Sequence, residues 1–220
     1  IKKIEQPNLE LIKAFTKLTS ATIHEAMGKR GAMHSSIKPL YSGMRACGSA
    51  ITVRSQAGDN LMLHKALDIA KSGNIIVADM GQLTEAGSWG EIASFQAKIK
   101  GIVGLVTNGS VRDSLEIKKL EFSVFCKAVS IKGTVKESIG YINHSISCGD
   151  VVVNPGDIIL GDEDGVVVIP LQEAEEILIK SREIIDKEEK LIKRIQAGES
   201  LFEISGYQEV LKRKGCVEEE

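Results

Sequence analysis

The feature that most constrains the fold is an alternation of short apolar runs and helical patterns between residues 74 and 126. Apolar runs of strand length lie at 74–79, 102–107 and 122–126. Between them, 91–100 has a helical pattern, and 111–120 has that of a helical turn or short helix. Parallel strands need a crossover connection, so this alternation is typical of βαβ units. The sequence therefore predicts a parallel sheet within an α/β fold.

Further elements are predicted before this region, namely helices at 8–18 and 20–27, a strand at 46–54 and a helix at 61–71. Asp59 and Asn60 come directly before the last of these helices. Short polar side chains are favoured there because they accept hydrogen bonds from the first free amides of the helix. The pair is therefore interpreted first as a helix cap. His64, inside the same helix, is interpreted as a partly buried histidine with a packing role.

The chain becomes rich in β-branched residues after position 126. Runs at 151–153, 158–160 and 166–169 are separated by Asn-Pro-Gly-Asp at 154–157 and by Asp-Glu-Asp-Gly at 162–165. Pro and Gly at the centre of the first separator suit a type II turn. These runs are predicted to form an antiparallel meander. A charged amphipathic helix follows at 171–197, so we expect one α/β domain with a β-rich half and flanking terminal helices.

Composition and charge exclude several classes of protein. The formal net charge is −2 and no basic run stands out, which argues against a nucleic-acid partner. No apolar run approaches the roughly 20 residues that span a bilayer, and the charged start lacks a signal-peptide core. Cysteines 47, 126, 148 and 216 form no C-x-x-C pair, which favours reduced thiols and a cytoplasmic location. The acidic run at 218–220 is expected to be a solvated tail.

A glycine-rich loop at 87–90 leads into the predicted helix at 91–100. Free amides in the first turn of a helix are directed toward bound anions. An ordinary flexible turn explains the same pattern equally well. The loop is neither a P-loop nor a dinucleotide fingerprint, because it lacks a following Gly-Lys-Ser/Thr and the G-x-G-x-x-G spacing.

Arg112 and Asp113 stand side by side just after a predicted strand, where α/β sheets place ligand groups. An exposed ion pair of little energetic value is the alternative interpretation. Mg²⁺ is commonly held by only one or two protein carboxylates and keeps several waters. Together with the glycine-rich loop, the pair suggests a small anionic substrate held on a divalent ion.

Several motifs in this order resemble one family. They are Gly-Asp-Asn at 58–60 with His64, Trp-Gly-Glu-Ile-Ala at 89–93, Asn-Gly-Ser-Val-Arg-Asp at 108–113 with Glu116, Gly-Thr-Val-Lys at 133–136, and the two turns at 154–157 and 161–165. The pattern is similar to that of the class II 4-hydroxy-4-methyl-2-oxoglutarate aldolases and the related regulator-of-ribonuclease-activity A (RraA-like) proteins. It covers roughly residues 15–205, and the chain, 1–220, is expected to form one such domain.

The resemblance implies a swivelling β/β/α-type fold, a trimeric or hexameric assembly with sites between subunits, and Mg²⁺ or Mn²⁺ as cofactor. By resemblance, Asp113 matches the direct metal ligand and Arg112 the residue that binds and polarises a pyruvate-like keto acid. Glu91 would hold metal-bound water, making Arg112, Asp113 and Glu91 the catalytic set. The other matches are Gly90, Glu91, Ile92 and Ala93 around the substrate carboxylate, Asn60 and Lys136 at the distal part of the substrate, and Glu188 or Glu189 reaching the metal waters from a neighbouring subunit.

The implied activity is metal-dependent cleavage of a 4-hydroxy-2-oxo acid, or decarboxylation of oxaloacetate, with release of pyruvate. A non-catalytic module that binds a ribonuclease or another protein is the alternative. The expected partners are a small 2-oxo acid and further copies of the chain, with no nucleic acid and no membrane. Asn108 departs from the pattern, since many relatives carry Asp there, but the departure leaves the metal-ligand carboxylate in place.

Overall fold

The computed structural model describes residues 1, 2, 4 and 6–217. The acidic run at 218–220, which was expected to be a solvated tail, lies outside the described residues. The helices are α1 (Leu9–Phe15), α2 (Ser20–Ala26), α3 (Leu61–Ile69), α4 (Glu91–Ile99), α5 (Ser114–Lys119), α6 (Ala174–Gln196), α7 (Leu201–Ile204) and α8 (Tyr207–Lys214). The strands are β1 (Lys38–Pro39), β2 (Ala46–Arg54), β3 (Asn74–Asp79), β4 (Gly104–Thr107), β5 (Ser110–Val111), β6 (Val124–Cys126), β7 (Ala128–Val129), β8 (Tyr141–Ile142), β9 (Ile146–Cys148), β10 (Val151–Val153), β11 (Ile158–Gly161) and β12 (Val166–Ile169).

The main sheet has eight strands and a parallel centre. Its order is β1-β6-β4-β3-β2-β11-β12, and β8 also pairs with β2. The pairs β2–β3, β3–β4 and β4–β6 are all parallel, with α3, α4 and α5 in the connections between them. The predicted βαβ units are therefore confirmed. Strand β3 is buried along nearly its whole length, which explains why its sequence is a continuous apolar run rather than an alternating one.

The antiparallel half differs from the predicted meander. Strands β11 and β12 form a hairpin as expected, and β11 also pairs antiparallel with β2. Strand β10, however, pairs with β9 in a separate two-stranded sheet, so the predicted pairing of 151–153 with 158–160 is wrong. Both residues of the β9–β10 turn, Gly149 and Asp150, have positive φ, as a tight type I′ hairpin requires. Strand β10 therefore pairs with β9 within a local hairpin and does not join β11 in a meander.

The turn at 154–157 redirects the chain onto the main sheet. Its hydrogen bond runs from the Asp157 amide to the Asn154 carbonyl, and Gly156 has φ of 89°, as a type II turn requires. The Gly156 amide then donates to the carbonyl of Ala50 in β2, and the Ala50 amide donates to the carbonyl of Asp157. These two bonds set β11 against β2 instead of β10.

Two apolar layers cover the two faces of the sheet. The β11–β12 hairpin shows the alternation directly, because Ile158 and Leu160 face one layer while Ile159 faces the other. The first layer is completed by α1, α2 and the start of α6, and the second lies beneath α3, α4 and α5. The terminal helices thus pack in part on their own sheet.

The later part of the C-terminal region carries apolar side chains that this chain does not cover. Buried residues of α6 end at Ser181, and α7 and α8 have none. Exposed apolar side chains continue along this segment at Ile192, Ile195, Leu201, Phe202, Tyr207 and Val210. Among the described residues, no helix is both long enough and apolar enough to cross a membrane.

Candidate active site

The glycine-rich loop runs directly beside the segment that carries Arg112. The Ser88 amide donates to the Ser110 carbonyl at 2.9 Å, and the Arg112 amide donates to the Trp89 carbonyl at 2.8 Å. Gly87 permits this close approach, because a Cβ there would lie 2.4 Å from the carbonyl oxygen of Ser130. The two predicted site segments therefore form one wall of backbone, and the loop is fixed in its place.

Gly90 opens the space for the carboxylate of Asp113. A Cβ at Gly90 would lie 2.3 Å from Asp113 Oδ2, which is well below contact distance. The amide of Glu91, the first residue of α4, donates to that same oxygen at 3.1 Å. A negative charge at this end of a helix is favourable because the free amides carry partial positive charge. The loop thus holds a carboxylate of the chain itself at the helix start.

Arg112 and Asp113 direct polar groups into the cleft between the elements. Asp113 lies at the junction of β5 and α5. It adopts the left-handed conformation with φ of 55°, which is uncommon for residues other than glycine. Arg112 Nε lies 3.5 Å from Asp113 Oδ2, and both side chains are part-exposed. Within the described part of the chain, Asp113 Oδ1 has no hydrogen-bond partner, so it is available to a ligand.

A second wall of the cleft comes from the irregular segment 130–138, which we call the strap. Its residues Gly133, Thr134 and Lys136 line the cleft. The carboxylate of Asp59 anchors the strap, because Oδ2 accepts from the amides of Glu137 and Ser138, both at 2.7 Å.

The other oxygen of Asp59 serves the helix on the opposite side. Oδ1 accepts from the amide of Leu61 at 2.8 Å, so the predicted cap at the start of α3 is confirmed for Asp59, whereas the Asn60 side chain makes no cap bond. Asp59 is completely buried. Burial alone would raise its pKa, but the hydrogen bonds from Leu61, Glu137 and Ser138 outweigh burial and lower the pKa, so the carboxylate is ionised.

Asn60 and His64 complete the cleft from α3. Asn60 Nδ2 donates to the carbonyl of Ser88 in the glycine-rich loop at 2.9 Å. Its Oδ1 is buried without a partner among the described residues. The pKa of His64 is lowered by burial and then by the charge of Lys136, which keeps the imidazole neutral at pH 7. His64 also lines the cleft, whereas the sequence predicted only a packing role.

The cleft has a volume of about 620 Å³ and brings most of the predicted site together. The predicted residues that line it are Asn60, Gly90, Glu91, Ile92, Ala93, Arg112, Asp113 and Lys136. Sequence reasoning gave no role to Gln96, Glu116 and Thr134, which also line it. Glu116 could have been found, because it belongs to the motif at 108–116 and lies in the first turn of α5, directly after Asp113.

Glu188 and Glu189 do not line the cleft of their own chain. Both are exposed on the part of α6 that follows its last buried residue, Ser181. Their predicted role, through a neighbouring subunit, stays a prediction.

Asn108, the departure from the family pattern, lies outside the cleft. Its Nδ2 donates to Asp79 Oδ1 at 2.8 Å, and its Oδ1 accepts from the Met80 amide at 2.8 Å. An ionised Asp could accept from Met80, but it could not donate to Asp79. The amide is therefore the side chain that joins the ends of β3 and β4 without repulsion.

The donor set suits a cation that keeps most of its waters. Within the described residues, no group of three His, Cys, Asp or Glu side chains is close enough to bind a metal. Asp113 offers one free carboxylate oxygen, and Glu91 and Glu116 line the same cleft. A single direct carboxylate with further acidic groups nearby fits Mg²⁺ or Mn²⁺ rather than a closed zinc site.

Fold and cleft together define a mixed α/β protein with a small polar site at the edge of a parallel sheet. The model of the RraA-like family, described as Aldolase/RraA, matches residues 20–168, and the chain belongs to this family. A Halalkalibacterium halodurans protein, provisionally named a 4-hydroxy-4-methyl-2-oxoglutarate aldolase, is 38% identical over 180 residues, which are 81% of this chain and 85% of that protein.

Two solved structures share the fold. An uncharacterized protein from Pseudomonas syringae has a TM-score of 0.79 at 23% identity, and the alignment covers 91% of this chain and 98% of that one. The RNA-processing inhibitor RraA from Thermus thermophilus has a TM-score of 0.64 at 26% identity and covers 69% of this chain and 92% of its own. The predicted RraA-like fold class is confirmed. The extent of the family domain over 1–220 stays a prediction.

Proposed function

We propose that this protein is a divalent-metal-dependent carbon–carbon lyase that releases pyruvate from a 4-hydroxy-2-oxo acid or from oxaloacetate. The observation that carries the proposal is the shared position of Arg112 and Asp113 beside the Glu91 amide in one open cleft. The name of the Halalkalibacterium halodurans relative supports an aldolase. A substrate of the type 4-hydroxy-4-methyl-2-oxoglutarate is the finer part of the proposal.

Arg112 would bind the keto acid end of the substrate. Among the described residues the only acidic partner of its guanidinium is Asp113, 3.5 Å from Nε, so the two outer nitrogens are open to an anion. Cleavage of the C3–C4 bond leaves its electron pair on C3, delocalised onto the 2-keto oxygen as an enolate. The C4 fragment leaves as a carbonyl compound, after its hydroxyl has lost a proton to water, or as CO₂ from oxaloacetate, and protonation of C3 then gives pyruvate. A preorganised guanidinium stabilises that oxygen more than it stabilises the ground-state carbonyl, which lowers the barrier.

Asp113 and Glu91 would hold the divalent ion, Mg²⁺ or Mn²⁺, with Asp113 as direct ligand and Glu91 acting through water. When bound, the ion supplies Lewis acidity at the keto and carboxylate oxygens of the substrate. The free Oδ1 of Asp113 supports this assignment. The Glu91 side chain is exposed in the cleft beside it. Solvent water is the proposed proton carrier.

The far side of the cleft would recognise the distal part of the substrate. Lys136 is exposed in the cleft and supplies a positive charge for a distal carboxylate. Asn60 also lines the cleft, next to the strap, and its Nδ2 has a second hydrogen beyond the one donated to Ser88. The backbone of Gly90, Ile92 and Ala93 would close on the carboxylate next to the keto group. A dianionic keto acid therefore suits both ends of the cleft.

The direct test measures pyruvate released from oxaloacetate with Mg²⁺, against the background of the ion without protein. Asp113→Asn should abolish the enzymatic part while the fold survives, because the variant loses the one direct ligand. Removal of the ion with EDTA should have the same effect, and added Mg²⁺ should restore the rate. Full activity of the variant would contradict the assignment.

We further propose a trimer or hexamer in which Glu188 or Glu189 completes the neighbouring site. The uncovered apolar side chains of α6, such as Ile192 and Ile195, support an association of this kind. Asp113→Asn subunits mixed with subunits that lack both glutamates should recover part of the activity. A fully active monomer, or no recovery among subunits shown to mix, would count against a shared site.

A non-catalytic regulator is the second candidate function. The structural match to a protein titled as an RNA-processing inhibitor favours it. A regulator would bind a ribonuclease in a pull-down and would release no pyruvate above the metal background. Measuring both properties on one preparation separates the two candidates.

A further inference from the structure

We propose that Asp59 is a positioning residue that selects substrates by their distal group, because it fixes the strap that carries Lys136. The inference rests on the proposed function. Asp59 lines no part of the cleft, and the sequence predicted only a helix cap at this position. Its second oxygen shows a further role, since it reaches across to the strap.

The strap has little other internal order to hold it. It contains no helix and no strand of the named elements. Its start is held by side-chain bonds of Ser130 and Lys132 to Glu85. Around Lys136 its other connections are backbone bonds, from the Val135 amide to the Gly58 carbonyl at 3.0 Å and from the Asn60 amide to the Val135 carbonyl at 3.1 Å. Glu137 and Ser138, which follow Lys136 directly, are held by the carboxylate of Asp59.

The Asp59 carboxylate is suited to this task by its burial and charge. It is completely buried, and it accepts three short backbone bonds, of 2.7, 2.7 and 2.8 Å. Hydrogen bonds to a charged acceptor are roughly twice as strong as neutral ones. The carboxylate therefore joins the start of α3, which carries Asn60 and His64, to the segment that carries Lys136.

The consequence for function is a fixed spacing between two ends of the cleft. Asn60 is tied to the glycine-rich loop through the carbonyl of Ser88, so the α3 end is fixed relative to the keto acid end. Asp59 then fixes Lys136 relative to α3. A misplaced Lys136 would weaken binding of a distal carboxylate and leave the handling of the keto acid end unchanged.

The experiment compares a substrate with a distal carboxylate and one without. Oxaloacetate decarboxylation reports the first. Exchange of the methyl protons of pyruvate for deuterium from D₂O reports the second, since it uses the same enolate and has no distal group. Asp59→Asn keeps the size of the side chain but places an amide NH₂ or a neutral oxygen before two N–H donors. We expect KM for oxaloacetate to rise about tenfold or more, and KM for pyruvate exchange to change less than about twofold.

Two further variants make the result specific. Lys136→Met should show the same split, and the double variant should be no worse than Lys136→Met alone, because Asp59 acts through Lys136. Asp157→Asn is the matched control. Asp157 is also buried and also accepts backbone bonds, from Asn154 and Leu171, but it lies outside the cleft. This control should lose stability without any change in the ratio of the two KM values.

Equal changes in both KM values, or additive effects of Asp59→Asn and Lys136→Met, would overturn the proposal. Where Asp59→Asn does not fold, Ser138→Pro carries the same test, since it removes one of the strap donors and keeps the carboxylate. A wild-type protein that catalyses neither reaction would refute the proposed function instead. The two failures are therefore distinguishable.

Discussion

Replacing Gly90 by Ala tests the proposed site with the smallest possible change. Gly90 has φ of −150°, an extended conformation that alanine adopts without strain, so the effect of the substitution is steric. The new Cβ would lie 2.3 Å from Asp113 Oδ2 and 3.2 Å from Arg112 Cγ. Ordinary contacts begin at about 3.4 Å, so the carboxylate must move by about 1 Å.

That movement has a cost that can be estimated. It breaks the bond from the Glu91 amide to Asp113 Oδ2, and a hydrogen bond to a charged group contributes about 1.5–3 kcal/mol. A displacement of about 1 Å at a catalytic group can cost about 100-fold in rate. We therefore expect kcat for pyruvate formation to fall by about two orders of magnitude, and the affinity for Mn²⁺ to fall with it.

The assays are steady-state pyruvate release and Mn²⁺ titration followed by electron paramagnetic resonance. Gly133→Ala is the matched control. Gly133 lies in the wall of the same cleft, its φ is outside the left-handed region, and a Cβ there would meet nothing within 4 Å. This variant should stay within about threefold of wild type. A Gly90→Ala protein with wild-type kcat and Mn²⁺ affinity would refute the assignment of Asp113 as the ligand.

Three further predictions concern the guanidinium, the thiols and acid stability. Arg112→Lys keeps the charge but loses the planar fork, so kcat should fall by about two orders of magnitude, and a change of only a few-fold would contradict its role. Burial raises the pKa of Cys47 and of Cys148 to about 12, so iodoacetamide at pH 8 should label exposed Cys216 first, as mass spectrometry of the folded protein can show. The pKa of Asp59 is lowered on folding, so its contribution to the free energy of unfolding is present above pH 3.8, its ordinary pKa, and is lost as the pH falls through the pKa of the folded state. Urea titrations at several pH values should therefore show a steeper loss of stability in acid for wild type than for Asp59→Asn.

The parallel half of the sheet could be predicted from sequence because its strands are buried on both faces. Strand β3 is therefore a continuous apolar run that one pattern identifies, and the bounds of β2 and β3 agree with the predicted 46–54 and 74–79. The antiparallel half could not be predicted fully. By its sequence, strand β10 suits a strand on either side of it, and the structure pairs it with β9. That pairing depends on the positive φ of Gly149 and Asp150, which the β-branched pattern does not report.

The candidate site, too, could be predicted from the sequence only in part. Arg112 and the glycine-rich loop meet because both follow parallel strands, which the topology alone implies. Lys136 lies on a strap without regular structure, so no periodicity points to it and only the family resemblance does. The roles of Asp59 and His64 depend on contacts over long stretches of the chain, such as Asp59 with Ser138. No local pattern reports contacts of that kind.

The amide at position 108 shows how such contacts bear on function. The family resemblance led us to expect an Asp at this position, where the chain has the neutral Asn108. In the structure the amide donates to Asp79, whose other oxygen lies 3.9 Å from Arg54 Nε. Carboxylates at both 108 and 79, at the 2.8 Å that separates Asn108 Nδ2 from Asp79 Oδ1, would repel each other or share a proton. The Asn108 side chain instead donates to Asp79 and accepts from the Met80 amide. The neutral amide is thus the side chain whose hydrogen bonds fit the groups at the ends of β3 and β4. Asp113, the proposed metal ligand, follows β5 and has no hydrogen bond to Asn108 among the described residues.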